Sequence, residues 1–320
     1  MREEDRPPLA NQLFDDRPIF VQVMQQFREC MEVVPLLRKA GISVESELAK
    51  LQRQAETFPR VHQELAAIRY YLHVALWICQ DHWRAQHLGI TNYATLLREI
   101  ERWRYSSSGS VCFVTFNYDT MLEEAMSQVL GLQIRDLSGY LHRAYTLIKL
   151  HGSINWGREV DGQPSIEAPH TYNPQRLITE AATLRLSNRY RLVSNRPMNR
   201  EGEAQRLVFP ALSIPVERKD EFNCPEAHVD RLRELLPAVS KLVTVGWRAT
   251  EADFLQILRE NLQNVPPAMV VSGTSDGVRE TGKNLAAAGL TVTDPLDCGF
   301  SGLILENLEK LERFLRQVVT

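Results

Sequence analysis

At 320 residues, with 44% apolar and 24% charged side chains, the chain can bury a substantial core as one large or two ordinary domains. Its formal net charge of −3 carries no basic excess, so direct binding of nucleic acid is not expected. Cys30, Cys79, Cys112, Cys224 and Cys298 are scattered with no Cys-x-x-Cys pair, which argues against a structural zinc and for a reducing compartment.

No apolar run approaches the roughly 20 residues of a membrane span. The opening "MREEDRPPLANQLF" lacks the apolar core of a signal peptide. A cytoplasmic protein with no membrane contact is expected.

In chain order, residues 18–105 read as helical. Val61, Leu65, Ile68, Leu72, Ala75, Leu76, Cys79 and Trp83 recur at intervals of three and four, which predicts a helix with one broad packing face. "GITNYATLLREIERW" begins another helix, with Thr91 or Asn92 as its cap. From residue 111 the texture changes. "VCFVTF" (111–116), "YTLIKL" (145–150), "KLVTVG" (241–246), "AMVVSG" (268–273) and "LTVTD" (290–294) are short apolar runs rich in β-formers. Helical patterns such as "TMLEEAMSQVL" and "ADFLQILRENL" lie between them. This alternation predicts an α/β fold: a Rossmann-like, doubly wound parallel sheet. The helical segment 18–105 and residues 157–222 are then insertions in a single domain spanning 1–320. Between residues 174 and 206, Arg176, Arg185, Arg189, Arg191, Arg196, Arg200 and Arg206 face only Glu180, Glu201 and Glu203. Residues 157–222 read as a solvated insertion, or as a lid or small subdomain whose arginines meet phosphates.

Ligands of an open parallel sheet bind beyond the carboxyl ends of its strands. The residues to inspect are therefore Asn117-Tyr118-Asp119, His151-Gly152-Ser153, Gly246-Trp247-Arg248 and Ser272-Gly273-Thr274. Each has a plain structural account as well. Asp119 can cap the helix over 120–130, Thr250 with Asp253 can form a capping box, and Gly246 can serve a tight turn. His151 stands directly after a strand and before a glycine, a position open to catalysis as much as to structure.

"TFNYD" (115–119) resembles the TQNID-type motif of the sirtuin, or silent-information-regulator, family, and "KLHGS" (149–153) resembles its strand-ending HG. "VFPALSIPVERKDEF" followed by "LVTVGWRATEADF" is similar to the sirtuin-like NAD-hydrolase branch of bacterial anti-phage defence proteins. The resemblance implies that Asn117 and His151 are catalytic and that Asp119 recognises the nicotinamide amide. It places Thr115, Tyr118, Gly152, Gly246, Trp247, Asp253, Ser272 and Gly273 at the NAD contacts, with no metal. Trp247 and Arg248 depart from the small turn of ordinary sirtuins.

Two further departures matter. The zinc ribbon of deacetylating sirtuins is absent, which favours NAD itself as the hydrolysed substrate. No GAGxS-type loop precedes "PPLANQLF", so the central first strand is expected to be missing, through a start assigned too late or a truncated chain, or else in a natural variant that no longer binds NAD well. Removing that strand would leave two unpaired edges within the sheet. The function implied is cleavage of the nicotinamide–ribose bond to give nicotinamide and ADP-ribose, gated by homo-oligomerisation or by a defence-system partner. The alternatives are a protein deacylase or ADP-ribosyltransferase, and a catalytically inactive scaffold.

Overall fold

The computed structural model describes residues 12–39, 43–87, 91–161, 174–193, 208–214 and 222–317. Its N-terminal part is helical: α1 (Pro18–Met24), α2 (Arg28–Leu37), α3 (Val44–Ala55), α4 (Pro59–His87) and α5 (Asn92–Ser107). The sequence places one apolar face on α4. The structure buries its middle on all sides, with Leu65 to Ile68 and Tyr70 to His73 continuous in the core. The reason is that α4 has neighbours all round: α1, α2 and α3, and also α7 (Pro174–Thr179), β3 (Gly152–Val160) and β5 (Val208–Leu212). A helix packed in this way needs apolar residues on every face.

The remaining elements are β1 (Val111–Thr115), α6 (Met121–Leu130), β2 (Tyr145–Lys149), β4 (Leu186–Leu192), α8 (Glu226–Leu235) and β6 (Leu242–Val245). After them come α9 (Ala252–Asn261), β7 (Pro267–Val271), α10 (Ser275–Ala287), β8 (Thr291–Leu296), α11 (Gly299–Glu306) and α12 (Leu308–Arg316). The class is mixed α/β. β1 and β2 pair in parallel with no slip from Val111↔Tyr145 to Thr115↔Lys149. β6, β7 and β8 form a second parallel sheet, and β4, β3 and β5 an antiparallel one.

All five strands expected from the sequence are present. β3 is an addition, starting at Gly152 directly behind β2, and it is buried along most of its length. The described part of 157–222 is therefore continuous with a sheet that begins earlier and packs on α4. Glu159 of β3 takes ion pairs from Arg189 at 2.7 Å and Arg191 at 2.5 Å, and Arg176 pairs with Glu180 at 3.0 Å. These three arginines thus have carboxylate partners. Arg196, Arg200 and Arg206 lie outside the described residues.

Among the described residues β1 pairs only with β2 and β6 only with β7. β2 is wholly buried, whereas β1 is half-buried at every position. α5 packs against α6, α11 and α12, and so lies over both parallel sheets. Burial pushes the Cys112 thiol on β1 up to about 12, as suits a small hydrophobe.

His73 in the middle of α4 is 1% exposed, and neither ring nitrogen has a partner among the described residues. Burial pushes its imidazole down to about 4, and burial does the same to His228, whose Nε2 contacts the Leu137 carbonyl at 3.0 Å. The unfolded chain takes up these protons near pH 6.5, so the fold loses stability as pH falls from there toward 4. Each histidine should cost roughly 2 kcal/mol between pH 7 and pH 5. Urea unfolding of His73→Leu at both values should show a correspondingly smaller loss than the parent. An equal loss would exclude His73 as a source.

Candidate functional site

β1 and β2 run in parallel and finish level, which places Asn117 and His151 at the same edge, each two residues beyond the Thr115↔Lys149 pair. The turn after β1 is held tightly. Thr115 Oγ1 accepts the Asn117 N–H at 3.1 Å. The Tyr118 carbonyl accepts the Ile154 N–H at 2.9 Å and the Ser153 hydroxyl at 3.2 Å. The N-cap of α6 is Thr120, without a side-chain cap bond, and Asp119 stands one residue before it, its Oδ1 accepting the Met121 N–H at 3.0 Å. Gln80 of α4 also holds the start of α6, its Oε1 accepting the Thr120 N–H at 2.7 Å.

Asn117 is exposed, and its Nδ2 donates to the Tyr93 hydroxyl at 3.2 Å. Tyr93 stands in the first turn of α5 and packs on Phe300 of α11 at 5.3 Å between ring centroids. The tip of β1 is thereby tied to the start of α11. Nearby, the Ser272 carbonyl after β7 accepts the Gly299 N–H at 2.7 Å.

His151 is 4% exposed. Phe116 covers it at 4.8 Å between centroids and also stacks on Trp247 at 5.5 Å and meets Phe254 at 5.6 Å. The tips of β1, β2 and β6 therefore meet through an aromatic cluster. The Trp247 indole N–H donates to the Glu251 carboxylate, and its carbonyl accepts the Thr281 hydroxyl at 3.0 Å. The capping box expected of Thr250 and Asp253 does not form: the N-cap is Glu251, with no side-chain cap bond. Glu251 is engaged by the indole instead. Asp253 remains in the first turn of α9.

Other expected contacts divide. The Tyr118 side chain packs against the helical core around α4, so its part in the turn is played by its backbone. Gly152 has φ +81°, and an added Cβ would lie 1.9 Å from the Ala211 carbonyl oxygen, so the fold itself demands glycine there. Gly246 has φ +66° with open space around it. Gly273 is exposed, also with open space beside it, and stands two residues before α10. The half-buried Ser272 packs its hydroxyl toward Gly277 in that helix.

Beneath the turn lies a charged pair that the sequence did not single out. Lys149 is fully buried and donates to Glu123 Oε1 at 2.9 Å and to the Asp119 carbonyl. Burial pushes the Asp119 and Glu123 carboxyls up, while Lys149 draws both back down. A lysine inside the apolar run "YTLIKL" was the available signal. Tyr93, Phe116 and Gln80 had none, since each becomes relevant only through long-range packing.

No group of three or more His, Cys, Asp or Glu side chains able to hold a metal ion occurs among the described residues. None of their helices is long and apolar enough to cross a membrane. The chain matches no family model and no curated protein.

The two glycines after strands make a paired test of the local geometry. Gly152→Ala should destabilise the protein by more than about 3 kcal/mol or prevent folding, because backbone must move to admit the methyl group. Gly246→Ala carries only the left-handed conformation and should cost about 1 kcal/mol. Chemical denaturation of both variants checks the order.

Proposed function

We propose that the chain is a sirtuin-like NAD hydrolase on a Rossmann-like, doubly wound sheet, cleaving the bond between nicotinamide and ribose. The observation that carries this is the level ending of β1 and β2, which brings Asn117 and His151 to one edge next to Asp119. An amide, an imidazole and a carboxylate beyond parallel strands suit a dinucleotide whose reacting sugar must be oriented and deprotonated.

In this reading water adds across the glycosidic bond. Positive charge develops on the ribose as nicotinamide departs, C1′ takes the hydroxyl, and one proton is released. Asn117 orients the ribose and the water, and its exposed amide is steadied by Tyr93. His151 accepts the proton, a role worth about a hundred- to ten-thousand-fold. The Asp119 carboxylate takes the nicotinamide amide N–H groups, its Oδ1 being already oriented by Met121. Gly246 and Gly273, both exposed, leave room for phosphates and ribose to approach the backbone. His151 is 4% exposed with Phe116 against it at 4.8 Å between centroids, so the dinucleotide has to displace packing around the imidazole to reach it.

That cover also favours a second reading, a sirtuin-like scaffold without turnover. Assembly with a second copy or with a defence partner belongs to either reading as the trigger. NAD should be hydrolysed by the purified chain with nicotinamide and ADP-ribose as products, followed by chromatography. His151→Ala and Asn117→Ala should each lower the rate at least a hundredfold. No nicotinamide from the parent chain, alone or concentrated to force self-association, would favour the scaffold.

A further inference from the structure

Lys149 ends a strand that is buried along its whole length, and the residue itself is 0% exposed. Burying an ion pair costs several kcal/mol per charge, and well-packed apolar residues in its place are often as stable or more so. Stability alone does not account for the pair, and its contacts point elsewhere. Nζ donates to the Asp119 carbonyl and, at 2.9 Å, to Glu123 Oε1. The same Glu123 oxygen accepts the Tyr140 hydroxyl at 3.1 Å. Tyr140 Oη in turn accepts the Trp156 indole N–H at 3.1 Å and the Asn155 amide at 3.3 Å. A buried polar chain thus runs from β3 through Tyr140 and α6 to β2, and ends on the turn that carries Asn117 and Asp119.

We propose that Lys149 is a positioning residue of the candidate site. It fixes the Asn117–Asp119 turn against β2 and sets its positive charge beside Asp119, with Glu123 and Tyr140 aiming the ammonium. An ionised carboxylate accepts two N–H donors from an amide, whereas a protonated one offers a competing donor. The role assigned to that carboxylate rests on the NAD-hydrolase proposal; the charge relation between Lys149 and Asp119 does not.

The groups facing Asp119 are few. Lys149 on β2 is the cation, Glu123 and Glu124 on α6 are the anions, and the Tyr93 phenol on α5 also interacts with it. Glu124 is itself paired with Arg84 of α4. Burial raises the Asp119 carboxyl and Lys149 opposes that rise, so removing the ammonium should let it rise further.

The test is the titration of Asp119, followed by carbon-13 NMR of the labelled carboxyl in the full chain. Asp119→Asn assigns the signal. In Lys149→Met the midpoint should move up from its position in the parent chain. Lys149→Met with Glu123→Leu leaves neither member of the pair buried alone, so it should fold if the single variant does not, and its Asp119 midpoint should stand above that of Glu123→Leu, the reference that already lacks the Glu123 charge. The acid limb of kcat/KM for nicotinamide release should shift by the same amount, where a purely structural loss would lower the rate equally at every pH. An Asp119 midpoint no higher in Lys149→Met than in the parent, or no higher in the double variant than in Glu123→Leu, overturns the proposal. A moved midpoint in a chain whose parent releases no nicotinamide upholds the charge relation and leaves the hydrolase reading alone to fail.

Discussion

The parallel pairing of β1 and β2 in a single register is the constraint on which the site depends. Side chains along a strand alternate faces, so a slip of one residue would turn every β2 side chain over. Lys149 would then leave Glu123, and His151 would no longer end level with Asn117. β2 is buried on both faces, so burial alone does not choose that register. The Lys149–Glu123 contact does so by charge, because a lysine displaced into the apolar neighbourhood would lack its carboxylate.

The site is also braced from outside the two parallel sheets. α5 supplies Tyr93 to Asn117 and reaches α11 through Phe300, while Asn92 donates to Ser301 at 3.0 Å. One helix therefore sets the tip of β1 relative to the second sheet, although β1 and β6 share no ladder among the described residues. Side-chain contacts between Phe116 and Trp247 do the same from the opposite end of the turn. Geometry that a continuous sheet would impose through backbone hydrogen bonds is here imposed by packing.

The five parallel strands were legible because each is a short apolar run between turn formers, and the helices of 18–105 because their apolar periodicity is strong. The Thr91 cap was legible for a local reason, its hydroxyl accepting the Ala94 N–H three residues on. β3 escaped notice because "GSINWGREV" mixes glycine, asparagine and charge, and its burial comes from α4 and β5, distant in sequence. The Thr250–Asp253 pair illustrates the opposite error. Its spacing suits a capping box, but Glu251 takes the cap position and binds Trp247, a contact that no local pattern encodes. At the site, the polar tips could be read from their place after strands. Which of them face solvent and which lie under Phe116 is set by tertiary packing.

That cover has a chemical consequence for a base at His151. The apolar rings around the imidazole exclude water and would strengthen any charge relation inside the site. A base must nevertheless come within hydrogen-bond reach of the proton it takes. Phe116 is the ring that lies against the imidazole, 4.8 Å between centroids. Phe116 is stacked on Trp247, and Trp247 is anchored through its indole N–H to Glu251 at the head of α9. Displacing Phe116 therefore loads the turn after β6, where Gly246 and Ala249 already hold left-handed conformations at φ 66° and 55°. A non-glycine residue in that conformation is strained by about 1 kcal/mol or more. The imidazole of His151, Phe116, Trp247 and the head of α9 thus form one packed unit.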